Sequence, residues 1–210
     1  MGSAAEFLPE RTTLASMREA VQGCRGCDLY EGTTQAVFGE GPDDAHVVMV
    51  GEQPGDKEDL AGRPFVGPAG GILDRAIVEA GLDRDDVYIT NVVKHFRFVL
   101  RGKKRIHKKP GAEHIRACAP WLEAELARIG PDVLVLLGAT AAQAILGRSF
   151  RVTQRRGEFV ESPLAPLVTA TIHPSSILRA ETDEDRRLAF EGFVQDLRGV
   201  AMALRRREAS

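Results

Sequence analysis

Apolar residues in this chain fall into short runs separated by stretches with helical periodicity. Val47-Val48-Met49-Val50 is the first run, and it stops abruptly at Gly51-Glu52-Gln53-Pro54-Gly55-Asp56. Val87 to Thr90, Val133 to Leu137 and Leu167 to Ile172 have the same form, which reads as strands buried on both faces. Between them, Pro68 to Ala80 places Ile72, Leu73, Ala76, Ile77 and Ala80 at helical spacing, and Gly81 suits its end. Thr12 to Gln22, Ala112 to Ile129, Ala139 to Leu146 and Asp183 to Arg205 read as further helices. Strands alternating with helices predict an α/β fold: a three-layer αβα sandwich around a central four-stranded parallel sheet. One domain over residues 1–210 is expected, with 1–11 flexible. Lys94 to Gly111 reads as a long loop, and such loops in compact domains often carry function.

Composition changes little in this picture, since it is that of an ordinary globular chain. The longest near-apolar run, Val133 to Leu146, is interrupted by Gly138, Thr140 and Gln143 and is short for a membrane span. The N-terminus lacks the basic start and apolar core of a signal peptide, so a cytoplasmic protein without membrane contact is expected. Charge is more informative. The net charge of −2 conceals eight basic residues and no acidic one between Lys94 and Ala112: Lys94, Arg97, Arg101, Lys103, Lys104, Arg105, Lys108 and Lys109. That density predicts a loop that attracts phosphate, with a merely solvated loop as the plain alternative. Arg205-Arg206-Arg207 reads as a solvated tail.

Chemistry enters with the three cysteines, Cys24, Cys27 and Cys118. The Cys-x-x-Cys spacing lets two thiolates grip one metal centre, and Cys118 adds a third. His95 is the candidate fourth ligand, since imidazole can replace thiolate on iron. A Cys3His zinc site uses the same donors, and three unrelated buried cysteines is the bland reading. Polar residues also follow three strands: Glu52 with Gln53 and Asp56, then Asn91, then His173. In a parallel sheet all of these gather along one edge. Phe65 adds a flat apolar ring, and Gly67-Pro68 opens a helix beside it. His46 and His114 read as structural or exposed, and Trp121 as core.

GEQPGDKED, GRPFVGPAG, TNVVK and HPSS, in that order, resemble the uracil-DNA glycosylase superfamily. Cys24, Cys27 and Cys118 place the resemblance near its family 4 iron-sulfur enzymes. Two departures, His95 where that family has a cysteine and the long basic loop containing Lys103 to His107, together with Gln53, are similar to the UdgX type. That type links itself irreversibly to uracil-containing DNA through a histidine of the inserted loop. The resemblance implies a 4Fe-4S cluster on Cys24, Cys27, His95 and Cys118. It implies His107 as the linking histidine, with Glu52, Gln53, Asp56 and His173 in the chemistry. Phe65 and Asn91 would stack on and read the base, with Gly55, Asp59, Arg105 and Ser175 also at the substrate. Partners implied are uracil and uracil-containing DNA, single-stranded by preference, met by a monomer.

The chemistry agrees with these roles. A base must leave the stack to be reached, at least cost from a single strand. The Asn91 carboxamide can accept from uracil N3–H and donate to O4. His173 can support charge on the departing base, and Glu52 can orient or deprotonate the nucleophile. Asp56 and Asp59 can instead cap or brace their loop, and Ile177-Leu178-Arg179 is either a wedge into the emptied base position or a helix entry. Two other functions stay open: a turnover glycosylase whose His107 only touches phosphate, and a non-catalytic nucleic-acid-binding module with structural zinc.

Overall fold

The computed structural model describes residues 2–208. Its strands are β1 (Val47–Gly51), β2 (Val87–Asn91), β3 (Phe98–Arg101), β4 (Lys104–His107), β5 (Val133–Leu137), β6 (Phe159–Ser162) and β7 (Ala165–Thr171). Its helices are α1 (Leu14–Ala20), α2 (Asp56–Ala61), α3 (Pro68–Glu79), α4 (Ala112–Ile129), α5 (Ala139–Leu146), α6 (Val152–Arg155), α7 (Pro174–Leu178) and α8 (Asp183–Glu208). The main sheet has the order β2-β1-β5-β7-β6, parallel except for β6.

The apolar runs form strands because both sides of the sheet are covered. Val48, Val50, Leu134 and Leu136 face one core with Trp121 and Leu126 of α4. Val47, Met49, Val133 and Val135 face another with Leu73 and Ile77 of α3 and Phe193 and Leu197 of α8. The alternating side-chain direction of a strand thus feeds two helical layers. The expected sandwich is present, with a fifth strand added. β6 lies antiparallel on the edge beside β7 and alternates exposed and half-buried positions. It escapes a search for continuous apolar runs for that reason.

The expected loop from Lys94 to Gly111 contains a second sheet, the hairpin β3–β4, with Phe98 opposite His107 and Arg101 opposite Lys104. Its two-residue turn starts at Gly102, whose φ of +61° suits glycine at the first position of a hairpin turn. Residues 4–7, within the stretch expected to be flexible, form a 3-10 turn packed on α4, with Ala4 fully buried.

All four parallel strands end at one edge. β1 leads to β2 on one side of the sheet, and the chain then crosses to β5 on the other side of β1. The switch point between β1 and β5 is where open α/β sheets bind ligands.

Candidate active site and metal centre

A cleft of about 630 Å³ opens at that edge, lined among others by Glu52, Phe65, Asn91, His107, Thr140 and His173. Its size is that of a small-molecule site. Glu52 and His173 follow β1 and β7, Asn91 ends β2, and His107 reaches the cleft from the end of β4.

Asn91 is only 2% exposed, and among the described residues its side-chain Oδ1 has no hydrogen-bond partner. A buried carbonyl oxygen without a donor is costly, so this one is poised to accept from a bound N–H. Gly51 lies directly beside it: a β-carbon there would stand 2.4 Å from Asn91 Oδ1 and 2.8 Å from Phe65 Cζ. Glycine is what leaves room for the amide and the ring together. Phe65 holds a left-handed backbone, φ +53°, which is strained for a side chain of this kind. Its ring stacks toward His173 at 5.7 Å between centroids.

His173 Nδ1 accepts from Ser175 N at 3.1 Å and pairs with Ser175 Oγ at 2.8 Å. Burial pushes its imidazole down to about 4, against the opposing pull of Glu52. The ring is therefore neutral near pH 7, with Nε2 left to carry the proton as a donor.

Glu52 shares its two oxygens between two partners. Oε1 lies 3.3 Å from His107 Nε2, and Oε2 accepts from the Thr140 hydroxyl. Burial alone raises a carboxyl group, but the hydrogen bonds from His107 and Thr140 outweigh it and hold Glu52 below its ordinary value. An ionised carboxylate at this ring nitrogen of His107 offers an acceptor for an N–H there.

The hairpin is tied to this wall by side chains of the β1 loop. Gln53 Nε2 donates to Arg97 O (3.1 Å) and Lys108 O (3.2 Å), and its Oε1 accepts from Arg97 N (3.2 Å). Its carboxamide is thus spent on both ends of the hairpin. Arg105 bonds Asp56 at 2.5 Å and Asp59 at 2.6 Å. Asp59 is fully buried and also accepts from Thr34 N. Asp56, Asp59 and Arg105 therefore brace the hairpin and lie outside the cleft lining, whereas Gly55 and Ser175 are in it.

The basic loop also changes in detail. Lys94 is fully buried and ion-paired with buried Glu125, so it offers no charge to a phosphate. Two lining residues escaped the sequence reading. Glu58 accepts from Gly55 N (3.1 Å) and Gly67 N (2.7 Å), bridging the two loops that flank Phe65. Thr140 stands just past β5, where the strand-end rule could have found it.

Cys24 and Cys118 sit in the core on the α4 side, among the buried residues around Trp121, and Cys27 is half-buried. Cys24 Sγ accepts from Trp121 Nε1 and Cys118 Sγ from Lys94 N, each at 3.3 Å. N–H···S bonds of this kind tune thiolate ligands. Burial pushes the Cys118 thiol up to about 12 and the His95 imidazole down to about 4. A neutral imidazole suits a ligand, and a buried thiol needs a positive centre to ionise. Among the described residues no three His, Cys, Asp or Glu side chains close on a point as for a single metal ion.

Residues 38–198 match the family described as the uracil DNA glycosylase superfamily. A type-4 uracil-DNA glycosylase of Thermotoga maritima is 40% identical over 174 residues, 82% of this chain and 87% of that protein. Type-4 uracil-DNA glycosylases of Sulfurisphaera tokodaii and Pyrobaculum aerophilum are 37% and 32% identical, over 79% and 85% of this chain and 76% and 94% of their own lengths.

Proposed function

The chain belongs to the uracil-DNA glycosylase superfamily, and from that premise we propose that it excises uracil from DNA and stays covalently joined to the emptied sugar through His107. The observation that carries this reading is the His107–Glu52 pair at the mouth of the cleft that holds Asn91, Phe65 and His173. A turnover enzyme needs a water there, and here an imidazole stands beside the carboxylate.

Uracil is flipped into the cleft, preferably from a single strand, and rests on Phe65. Asn91 Oδ1 accepts from N3–H while its N–H donates to O4. As the C1′–N1 bond breaks, its electron pair leaves with the base, and the neutral His173 donates Nε2–H to a base carbonyl carrying the charge. The sugar becomes oxocarbenium-like. The free imidazole nitrogen of His107 gives its lone pair to C1′, and its other N–H proton passes to Glu52. A neutral N-glycosylated imidazole results. Ser175 and the exposed Arg101, Lys103 and Lys104 of the hairpin face the strand.

The relatives' family and the donor set, the buried thiols of Cys24 and Cys118, the half-buried thiol of Cys27 and a buried neutral imidazole, support a 4Fe-4S cluster on Cys24, Cys27, Cys118 and His95. A cube of four irons spreads its ligands farther than one ion does, so donors that do not close on a point still fit it. It would brace the N-terminal segment, the start of the hairpin segment and α4. Iron and sulfide analysis with visible absorption tests this, and a colourless zinc protein would overturn it.

The functional test mixes the protein with single-stranded DNA bearing one uracil and resolves the products on a denaturing gel. A shifted band that survives heat and detergent is expected, and His107→Ser removes it. Free abasic product without a shifted band favours turnover instead, and a crosslink that persists in His107→Ser rejects His107 as nucleophile.

A further inference from the structure

Thr140 is the partner of Glu52 that the reaction above leaves unused. It begins the second position of α5, is 6% exposed, and its hydroxyl donates to Glu52 Oε2. Glu52 follows β1 and Thr140 follows β5, so their hydrogen bond spans the switch point between the two strands. Oε1 is left facing His107 Nε2 at 3.3 Å. We propose that Thr140 is a positioning residue for capture: by holding one oxygen of Glu52 it fixes the carboxylate rotamer that presents the other oxygen to His107.

The inference rests on the capture reading, which it deepens. A carboxylate with both oxygens free rotates about its last torsion and divides itself between orientations, since that torsion is broad. With Oε2 engaged, one orientation is selected and the N–H of His107 has a fixed acceptor. The same bond favours the ionised carboxylate, because a hydroxyl donates to the charged form. The other charged or titratable groups around Glu52 are His107 on β4 and His173 ahead of α7, with Lys109, Arg179 and Glu58 lining the same cleft. None of these occupies Oε2.

Thr140→Val removes the hydroxyl with little change of shape, and Thr140→Ser keeps the hydroxyl while dropping a methyl group. Single-turnover capture of uracil-bearing single strands is followed from about pH 4 to 8 for the parent and both variants, with thermal melting to verify folding. A hydrogen bond to a charged group corresponds to roughly a tenfold to hundredfold effect. Thr140→Val is expected to slow capture by about that factor, to lower the ratio of crosslinked to free abasic product, and to move the acid limb of the profile to higher pH. Thr140→Ser is expected to restore rate, ratio and limb.

A Thr140→Val protein with parental rate, ratio and acid limb overturns the inference. So does a slow Thr140→Val whose acid limb stays in place, because loss of folded protein alone lowers rate without shifting a limb. If the parent releases abasic product and forms no crosslink, the capture reading falls on its own. The comparison is then made on uracil release, where Glu52 orients water, and an unmoved acid limb again overturns the role of Thr140.

Discussion

Replacing Lys94 by methionine tests the least expected feature of the site's foundation. Lys94 Nζ donates to Thr90 Oγ1 (2.7 Å), to Asn91 O (2.9 Å) and to Glu125 Oε2. Glu125 also accepts from Tyr88 OH (2.8 Å) and Gly39 N (3.1 Å). Burial and the Glu125 charge push the Tyr88 phenol up, so it stays a donor. Both charges are fully buried, beneath the strand end that carries Asn91. Methionine has similar length and no charge, so Lys94→Met leaves a carboxylate in the core without its counter-ion. Breaking a buried pair from one side costs roughly 3–5 kcal/mol. For a domain of this size each kcal/mol shifts Tm by about 2–4 °C, so a fall of roughly 6–20 °C is expected in calorimetry. Lys94→Met combined with Glu125→Gln removes both charges and is expected to recover most of the loss. Salt dependence supplies an independent measurement. A phosphate contact adds about 0.7 to the slope of log K against log salt on single strands. Lys94→Met is expected to keep the parental slope, whereas Lys104→Ala, on the exposed hairpin, lowers it by about that amount. A stability loss below about 1 kcal/mol, or a reduced slope for Lys94→Met, would refute the reasoning.

Other perturbations separate pocket from hairpin. Gly51→Ala puts a methyl group 2.4 Å from Asn91 Oδ1, and a displacement of that size is expected to lower uracil release roughly 100-fold in single-turnover assays. Asn91→Asp loses the N–H donor to O4 and is expected to lower uracil release by about 10–100-fold and narrow the preference over cytosine. In His107→Ser protein, release of uracil depends on neutral His173, whose imidazole is held down to about 4. Protonation on falling pH removes the neutral form, so His173 is expected to impose an activity loss only as pH nears that value, and a limb from His173 near its ordinary 6.5 would contradict the geometry. Gln53→Ala deletes the three hydrogen bonds to Arg97 and Lys108, and the crosslinked fraction on a denaturing gel is expected to fall while abasic product rises.

Much of the sandwich and the cleft is legible in the sequence for one physical reason. Strands buried on both faces must be continuously apolar, and parallel strands must end together. Glu52, Asn91 and His173 could therefore be placed on one edge before any contact was known. What stayed hidden depends on partners distant in sequence. Lys94 counted as a basic loop residue because its burial is decided by Glu125, 31 positions away. Thr140 vanished into a helix of small residues, although it stands just beyond β5. Phe98-Val99-Leu100 lies among charges and turns at Gly102-Lys103 without an Asn-Gly or Asp-Gly signal, so β3–β4 read as loop. Gln53 was expected in the chemistry; it lines the cleft, and its amide is bound to backbone of Arg97 and Lys108.

That last difference assigns separate tasks to neighbouring residues of one motif. A two-stranded hairpin is marginally stable alone, and β3–β4 shows exposed Val99, Leu100 and Ile106 and, among the described residues, no third strand beside it. Its position is set by the Gln53 amide at its base and by Arg105, which reaches Asp56 and buried Asp59 and lies over the rings of Phe96 and Phe98. Asp59 in turn needs Arg105, since a fully buried carboxylate requires a counter-charge. Glu52 and Gln53 of this motif both line the cleft and both touch the hairpin, Glu52 through His107 and Gln53 through the backbone of Arg97 and Lys108. On the proposed reaction, substitutions at Asn91, Phe65 or His173 are expected to bear on which base is released, and those at Gln53, Arg105 or Asp59 on what then happens to the sugar. Among the described residues, Asn91, Phe65 and His173 make no hydrogen bond to the hairpin backbone that Gln53 holds, so variants of the second set are expected to leave a working pocket whose C1′ centre is open to water.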